Sequence, residues 1–150
     1  MEPIKINALV LVDDDQSAHA QFVKAFEDYF QDNYDLKIFR KGQSLISYLE
    51  DMLTDPFGVE PFAILIKINP DSPSPYSLLE TLKTHGTLKS YPVITYANSY
   101  NEEMVNECYD FHANAFIHLS PEDPSFNGYL NHFLDFWFSV VIPPMSIQEY

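Results

Sequence analysis

A chain of 150 residues, 46% hydrophobic and 15% aromatic, is long enough to bury one core and too apolar to be disordered. Its formal net charge of −14 repels nucleic-acid phosphate and anionic lipid, which argues against direct DNA or membrane-surface binding. No run reaches the ~18 apolar residues of a membrane span, the N-terminal M-E-P-I-K-I-N lacks a signal-peptide profile, and a lone Cys108 excludes an internal disulfide, so a cytoplasmic protein is expected.

Residues 8–12 (A-L-V-L-V) form a continuous apolar run, the pattern of a strand covered on both faces, and stop at Asp13-Asp14-Asp15. From Ser17 the period becomes helical, with Ala18, Phe22, Ala25, Phe26 and Tyr29 on one face to about Phe30. Residues 33–35 read as a polar break and 36–39 as a short second strand. Arg40-Lys41-Gly42 then turns into a helix carrying Leu45, Ile46, Leu49, Met52 and Leu53, and the loop 54–61 follows. Residues 62–69 (F-A-I-L-I-K-I-N), bracketed by Pro61 and Pro70, read as the central strand. Lys67 is the residue that does not fit. It sets a charged amine near the carboxyl end of a buried strand, where open α/β sheets place their ligands.

Beyond it, Ser74 is expected to cap a helix with Pro75 at its first position, running through Leu78, Leu79 and Leu82 to a left-handed stop at Gly86. Residues 92–96 (P-V-I-T-Y) are the fourth strand. Ser99 and Glu102 have capping-box spacing ahead of a helix through Met104, Val105, Cys108 and Tyr109. Residues 115–118 are the fifth strand, and a last helix occupies roughly 125–141, ended by Pro143-Pro144. Strands alternating with helices over short connections predict one domain across 1–150, a doubly wound parallel sheet with its core at about 7–141 and a short tail, 142–150.

The blocks V-L-V-D-D-D (10–15), I-L-I-K-I-N-P (64–70), Y-P-V-I-T-Y-A-N-S (91–99) and H-A-N-A-F-I-H-L-S-P (112–121), in that order and spacing, resemble a response-regulator receiver domain of two-component signalling. The resemblance covers about residues 7–140 and implies a flavodoxin-like, five-stranded parallel sheet in order 2-1-3-4-5 with five flanking helices. Family members transfer a phosphoryl group from a histidine kinase to their own aspartate, helped by Mg²⁺. Carried over by position, the acidic pair that helps hold the metal is Asp13 and Asp14, and the metal-ligating backbone carbonyl falls on Asn69. The phosphoacceptor position falls on Lys67. The hydroxyl that bonds the phosphoryl group falls on Ala97, the aromatic switch on Phe116, and the lysine before the last proline on Leu119, or on Ser120 if one residue is inserted. Three of the parts that handle phosphate are thus replaced.

An aspartyl phosphate needs a carboxylate nucleophile and a divalent cation, and Lys67 supplies neither. Its ammonium is expected to reach the Asp13/Asp14 cluster and bring the positive charge that Mg²⁺ brings elsewhere, leaving the metal site lost and no cofactor; the bland alternative points Lys67 to solvent. The reading is a stand-alone atypical receiver, not an enzyme, that works in phosphorelay signalling by binding another signalling protein. Two alternatives stay open: a receiver phosphorylated on another carboxylate, Asp13 or Asp71, and a Mg²⁺-dependent haloacid-dehalogenase-type phosphatase built on Asp13-x-Asp15-x-Ser17.

Two surfaces are candidates for partners. The apolar residues of the last helix cover an arc of roughly 200°, against the ~100° a surface helix needs. Tyr129, Phe136, Trp137 and Phe138 are therefore interface candidates, for a homodimer through that helix or another protein. No Lys or Arg follows Lys89, while eight acids do, so the C-terminal half suits a partner with a basic surface. The five histidines show no metal-ligand spacing, and Cys108 reads as a small buried hydrophobe.

Overall fold

A computed structural model describes residues 7–30, 34–55 and 61–140 of the chain. The expected tail 142–150, Val141, Pro143-Pro144, residue 33 of the expected break and residues 56–60 of the third connection lie outside the described residues. Five parallel strands form one sheet in the order β2-β1-β3-β4-β5. They are β1 (Asn7–Val12), β2 (Tyr34–Phe39), β3 (Pro61–Lys67), β4 (Val93–Ala97) and β5 (Ala115–His118). The helices are α1 (Gln16–Phe30), α2 (Gly42–Thr54), α3 (Ser74–Thr84), α4 (Glu102–Asp110) and α5 (Phe126–Asp135). This is the doubly wound architecture and strand order expected from the sequence.

Strand alternation divides the core in two. Leu9, Leu11, Ala63, Leu65, Ile94 and Tyr96 face one side of the sheet, where α1 and α5 cover them with Phe22, Phe26, Phe126, Leu130 and Leu134. Val10, Ile64, Ile66 and Val93 face the other, under Leu45, Leu49, Leu79, Leu82, Met104 and Cys108 from α2, α3 and α4. β1 and β3 lie inside the sheet with helices on both faces, which is why their sequences are unbroken apolar runs rather than alternations.

Several boundaries differ from expectation, each for a local reason. β2 begins at Tyr34, inside the expected polar break, because Asp35 pairs with Ala8 on an edge strand and meets Lys37 at 3.3 Å. β3 ends at Lys67, so Asn69 lies in the loop after it. Ser74 is the first helical residue of α3 rather than its cap; Pro73 holds the cap position and no side chain caps there. Asn101, not Ser99, caps α4, its side-chain oxygen accepting the Met104 amide at 2.8 Å. α5 is α-helical only to Asp135, and the chain continues as a π-helical turn, Phe136–Val140.

The expected left-handed stop at Gly86 is absent, since no glycine among the described residues has a positive φ. α3 stops in extended geometry at His85, whose Nδ1 accepts the amides of Thr87 and Leu88 at 3.2 and 3.1 Å. Lys83 Nζ closes the same turn by donating to the carbonyls of Lys89 and Tyr91 at 3.2 and 2.9 Å. The left-handed cap falls instead after α4, at His112, with φ 73°. There the His112 amide donates to Tyr109 O at 2.9 Å and the Ala113 amide to Cys108 O at 3.0 Å. This is the paired pattern that normally takes glycine.

A side chain with a Cβ is strained at that φ, so His112→Gly is expected to stabilise the protein by about 0.5–1 kcal/mol, the strain relieved outweighing the added freedom of the unfolded chain. His112→Val is expected to destabilise it by a similar amount or more. Urea unfolding of the three proteins measures both.

Candidate functional site

The register of the sheet sets one row of side chains at the carboxyl ends of its central strands. Val12 pairs with Ile66, which carries Asp13 alongside Lys67, and Lys67 in turn pairs with Tyr96. Asp13, Lys67 and Tyr96 therefore form one rung across β1, β3 and β4. Each shares the alternation of the α1/α5 face, behind Leu11, Leu65 and Ile94.

Asp13 is the centre of this rung, and its side chain has no exposed surface. Its Oδ1 accepts the Asp15 amide at 2.9 Å and lies 3.8 Å from Lys67 Nζ, while Oδ2 accepts the Tyr96 hydroxyl at 3.0 Å. The Asp13 carbonyl meets His19 Nε2 at 2.8 Å, which ties the first turn of α1 to the strand end. A buried carboxylate left without such partners would cost several kcal/mol. Burial first, and then the Asp13 carboxylate, push the Tyr96 phenol well above its ordinary value of about 10.

The expected contact between Lys67 and the acidic cluster is present, but it reaches Asp13 alone. Asp14 is exposed and makes no ion pair among the described residues. Lys67 itself is drawn in, its side chain only 14% exposed. Asn69 is engaged twice: its Oδ1 accepts the Asp71 amide at 3.0 Å and its carbonyl the Ser72 amide at 3.1 Å. Ala97 is buried, offering a methyl group where the family pattern places a hydroxyl. Leu119 is turned into the α1/α5-side core and Ser120 is half-buried, so neither brings a cation. Phe116 is half-buried, its ring 5.9 Å from that of Tyr100.

These residues do not fit a Mg²⁺ ion. Both Asp13 oxygens and the Asn69 carbonyl are already accepting, an ammonium stands beside the buried acid, and only the exposed Asp14 carboxylate remains for a metal that prefers several oxygen ligands. Among the described residues no group of three or more His, Cys, Asp or Glu is placed to hold a metal ion.

Tyr96 was not singled out in the sequence, because a tyrosine in P-V-I-T-Y reads as one more core aromatic. The signal was available in its register: a hydroxyl on the same sheet face as Asp13, one strand beyond Lys67. Of the interface candidates, Tyr129 and Phe136 are each 54% exposed. Trp137 and Phe138 instead turn inward against the α1/α5-side core, with Phe138 stacked on Phe62 at 4.3 Å between ring centres. Both stay half-buried.

Tyr96→Phe keeps the buried ring, rotates nothing else, and removes one donor from a buried carboxylate, so a loss of about 1–3 kcal/mol is expected. A raised phenol pKa stabilises the folded state fully below the unfolded value of about 10 and is lost as pH rises through the folded value. Wild-type stability should therefore fall as pH rises above 10, and the gap to Tyr96→Phe should narrow over the same range. Denaturant midpoints at stepped alkaline pH check the sign.

No protein-family model matches the chain. Response regulator Rcp1 of Synechocystis sp. is 23% identical over 138 residues, covering 92% of this chain and 94% of that protein. Among solved structures, the phosphorylated cyanobacterial phytochrome response regulator RcpA superposes with a TM-score of 0.80 at 23% identity, over 93% of this chain and 99% of that one. A response regulator in red light signalling of R. palustris gives 0.79 at 15% identity, over 94% and 100% of the two chains. The chain thus shares the fold of response-regulator receiver domains and resembles one such regulator in sequence along nearly its whole length.

Proposed function

We propose that this chain is an atypical receiver domain of two-component or phosphorelay signalling that works without phosphorylation, by binding another signalling protein. The observation that carries the reading is the ion pair between Lys67 and the buried Asp13. At the position where the family pattern puts a nucleophilic carboxylate, this protein has an ammonium already committed to the neighbouring acid. Position 97 carries a methyl group in place of the hydroxyl of the family pattern, and among the described residues no group of three or more His, Cys, Asp or Glu is placed to hold a metal ion, which supports a chain that is not an enzyme and needs no cofactor. A phosphatase reading loses support for the same reason, since the Asp13 it would use as nucleophile has no exposed surface. Phosphorylation on Asp13 is disfavoured likewise, whereas Asp71 is exposed in the following loop and stays the alternative to be tested.

The partner surface favoured by charge is that of α4. Glu102, Glu103, Glu107 and Asp110 are exposed there, next to Tyr100 and Tyr109 at 56% and 47% exposure. An acidic rim around exposed aromatic rings suits a partner bearing Arg or Lys, with electrostatics guiding the encounter and the rings supplying contact area. Among the described residues no helix is long and apolar enough to cross a membrane, in keeping with a cytoplasmic setting. Tyr129 and Phe136 on the far side supply a second, apolar surface, which would support pairing through the end of α5.

Incubation with acetyl phosphate and Mg²⁺ should leave the intact mass of the protein unchanged, and calorimetric titration with Mg²⁺ should show no saturable binding. Lys67→Asp should gain Mg²⁺ binding. An added phosphoryl mass on the wild type, or tight metal binding by it, would sink the proposal. For the partner, binding should weaken steeply with added salt and drop roughly tenfold or more in Glu103→Lys/Glu107→Lys. A salt-independent interaction abolished by Phe136→Ser would assign the contact to α5 instead.

A further inference from the structure

Between the start of α2 and the body of α3, outside the ends of β1 and β3, lies a cavity of about 670 Å³. That volume falls in the range of small-molecule sites. It also sits at the topological switch point of a 2-1-3-4-5 sheet, where open α/β folds leave their crevice.

The lining is chemically divided. The half-buried Ile46 supplies an apolar wall, with the nearly buried edges of Val12 and Leu78 beside it. At the other side stand Arg40 and Lys41, which lead into α2. Arg40 is the only arginine in the chain, and among the described residues neither it nor Lys41 is in an ion pair, although the protein carries 22 acids against 8 Lys and Arg. Lys67 and Asp13, which also line the cavity, neutralise one another at 3.8 Å. Set against the one remaining acid, the exposed Asp14, the two free cations leave the crevice with an excess of positive charge in a chain of net charge −14. The first turn of α2 adds to this, having no acidic residue and no side-chain cap on its amides.

We propose that this crevice binds a small organic oxyanion, with a compact apolar body against Ile46 and the edges of Val12 and Leu78 and its anionic head at Arg40, Lys41 and the first amides of α2. The binding is non-covalent and leaves the Lys67–Asp13 pair intact. It stands apart from the protein-docking reading, because it uses the opposite charge on a different face. Two free cations beside an apolar wall select for both halves of such a ligand. Inorganic phosphate fills only the cationic end and a neutral aromatic only the apolar end.

The test uses phenyl phosphate, inorganic phosphate and benzyl alcohol as probes, followed by amide NMR of the full chain. Phenyl phosphate should shift Gly42, Gln43 and Ser44 together with Tyr76 and Ser77 saturably, and bind more tightly than either fragment. Arg40→Gln/Lys41→Gln should weaken it roughly tenfold or more while the rest of the spectrum is preserved. Thr81→Trp, which fills the cavity from an exposed position of its wall, should abolish the shifts at α2. Should the tryptophan variant misfold, the glutamine pair decides alone. No saturable shift, shifts confined to α4 or α5, or equal affinity in Arg40→Gln/Lys41→Gln would overturn the proposal.

Discussion

The carboxylate of Asp13 has no exposed surface, and the site is organised around giving both its oxygens partners in that position. Its partners come from adjacent strands: a phenol from β4, an ammonium from β3, and the amide of Asp15 beyond the end of β1. Because β1, β3 and β4 are neighbours in the sheet, satisfying one charge pins the ends of all three strands together. Removing one partner leaves the others in place but the charge under-compensated, the circumstance in which a buried ion becomes costly. The same constraint sets the hydrogen bonding of the site, since both Asp13 oxygens already accept from within the chain or face the Lys67 amine.

Lys67 and Tyr96 play unequal parts in this. At 3.8 Å the ammonium is close enough for a charge interaction and too far for a short hydrogen bond, whereas the phenol donates at 3.0 Å from a fully buried ring. Tyr96 is in turn held by Phe22, whose ring it meets edge-on at 5.6 Å, and Phe22 meets Phe126 of α5 at 5.1 Å. The acid at the strand end is thereby joined to the packing of α1 and α5. This connection makes the arrangement part of the core, so the geometry of the site is set by the same contacts that hold the fold.

The architecture was legible because its signals are long and redundant. Continuous apolar runs marked β1 and β3, helical spacing marked α1 and α2, and short connections left few ways to join them. Lys67 was legible as a departure from a pattern. What the sequence hid depends on local geometry at single residues. Ser99 and Asn101 are both competent caps, and only the extended backbone of Asn101, at φ −132° and ψ 171°, decides between them. Gly86 looks like a helix stop until His85 and Lys83 close the turn with side-chain hydrogen bonds, after which no left-handed residue is needed. The apolar residues at 136–138 follow a helical wheel on paper. The π-helical turn resets that wheel and carries Phe138 onto Phe62 while leaving Phe136 exposed.

Charge in this chain is sorted by face. The exposed acids of α4 lie on one surface and Arg40 and Lys41, in no ion pair among the described residues, on another, at the mouth of the crevice beside α2. At the central rung the Asp13 carboxylate is met by the Lys67 amine, 3.8 Å away, so the charge there is balanced within the chain. α2 packs directly on α3, with Leu78 so close to Gly42 that an added Cβ would sit 3.1 Å from its side chain. An occupant wedged between these helices would press on a contact with little room to give. Such a contact passes displacement on rather than absorbing it, because closely packed interiors have few voids in which to relax.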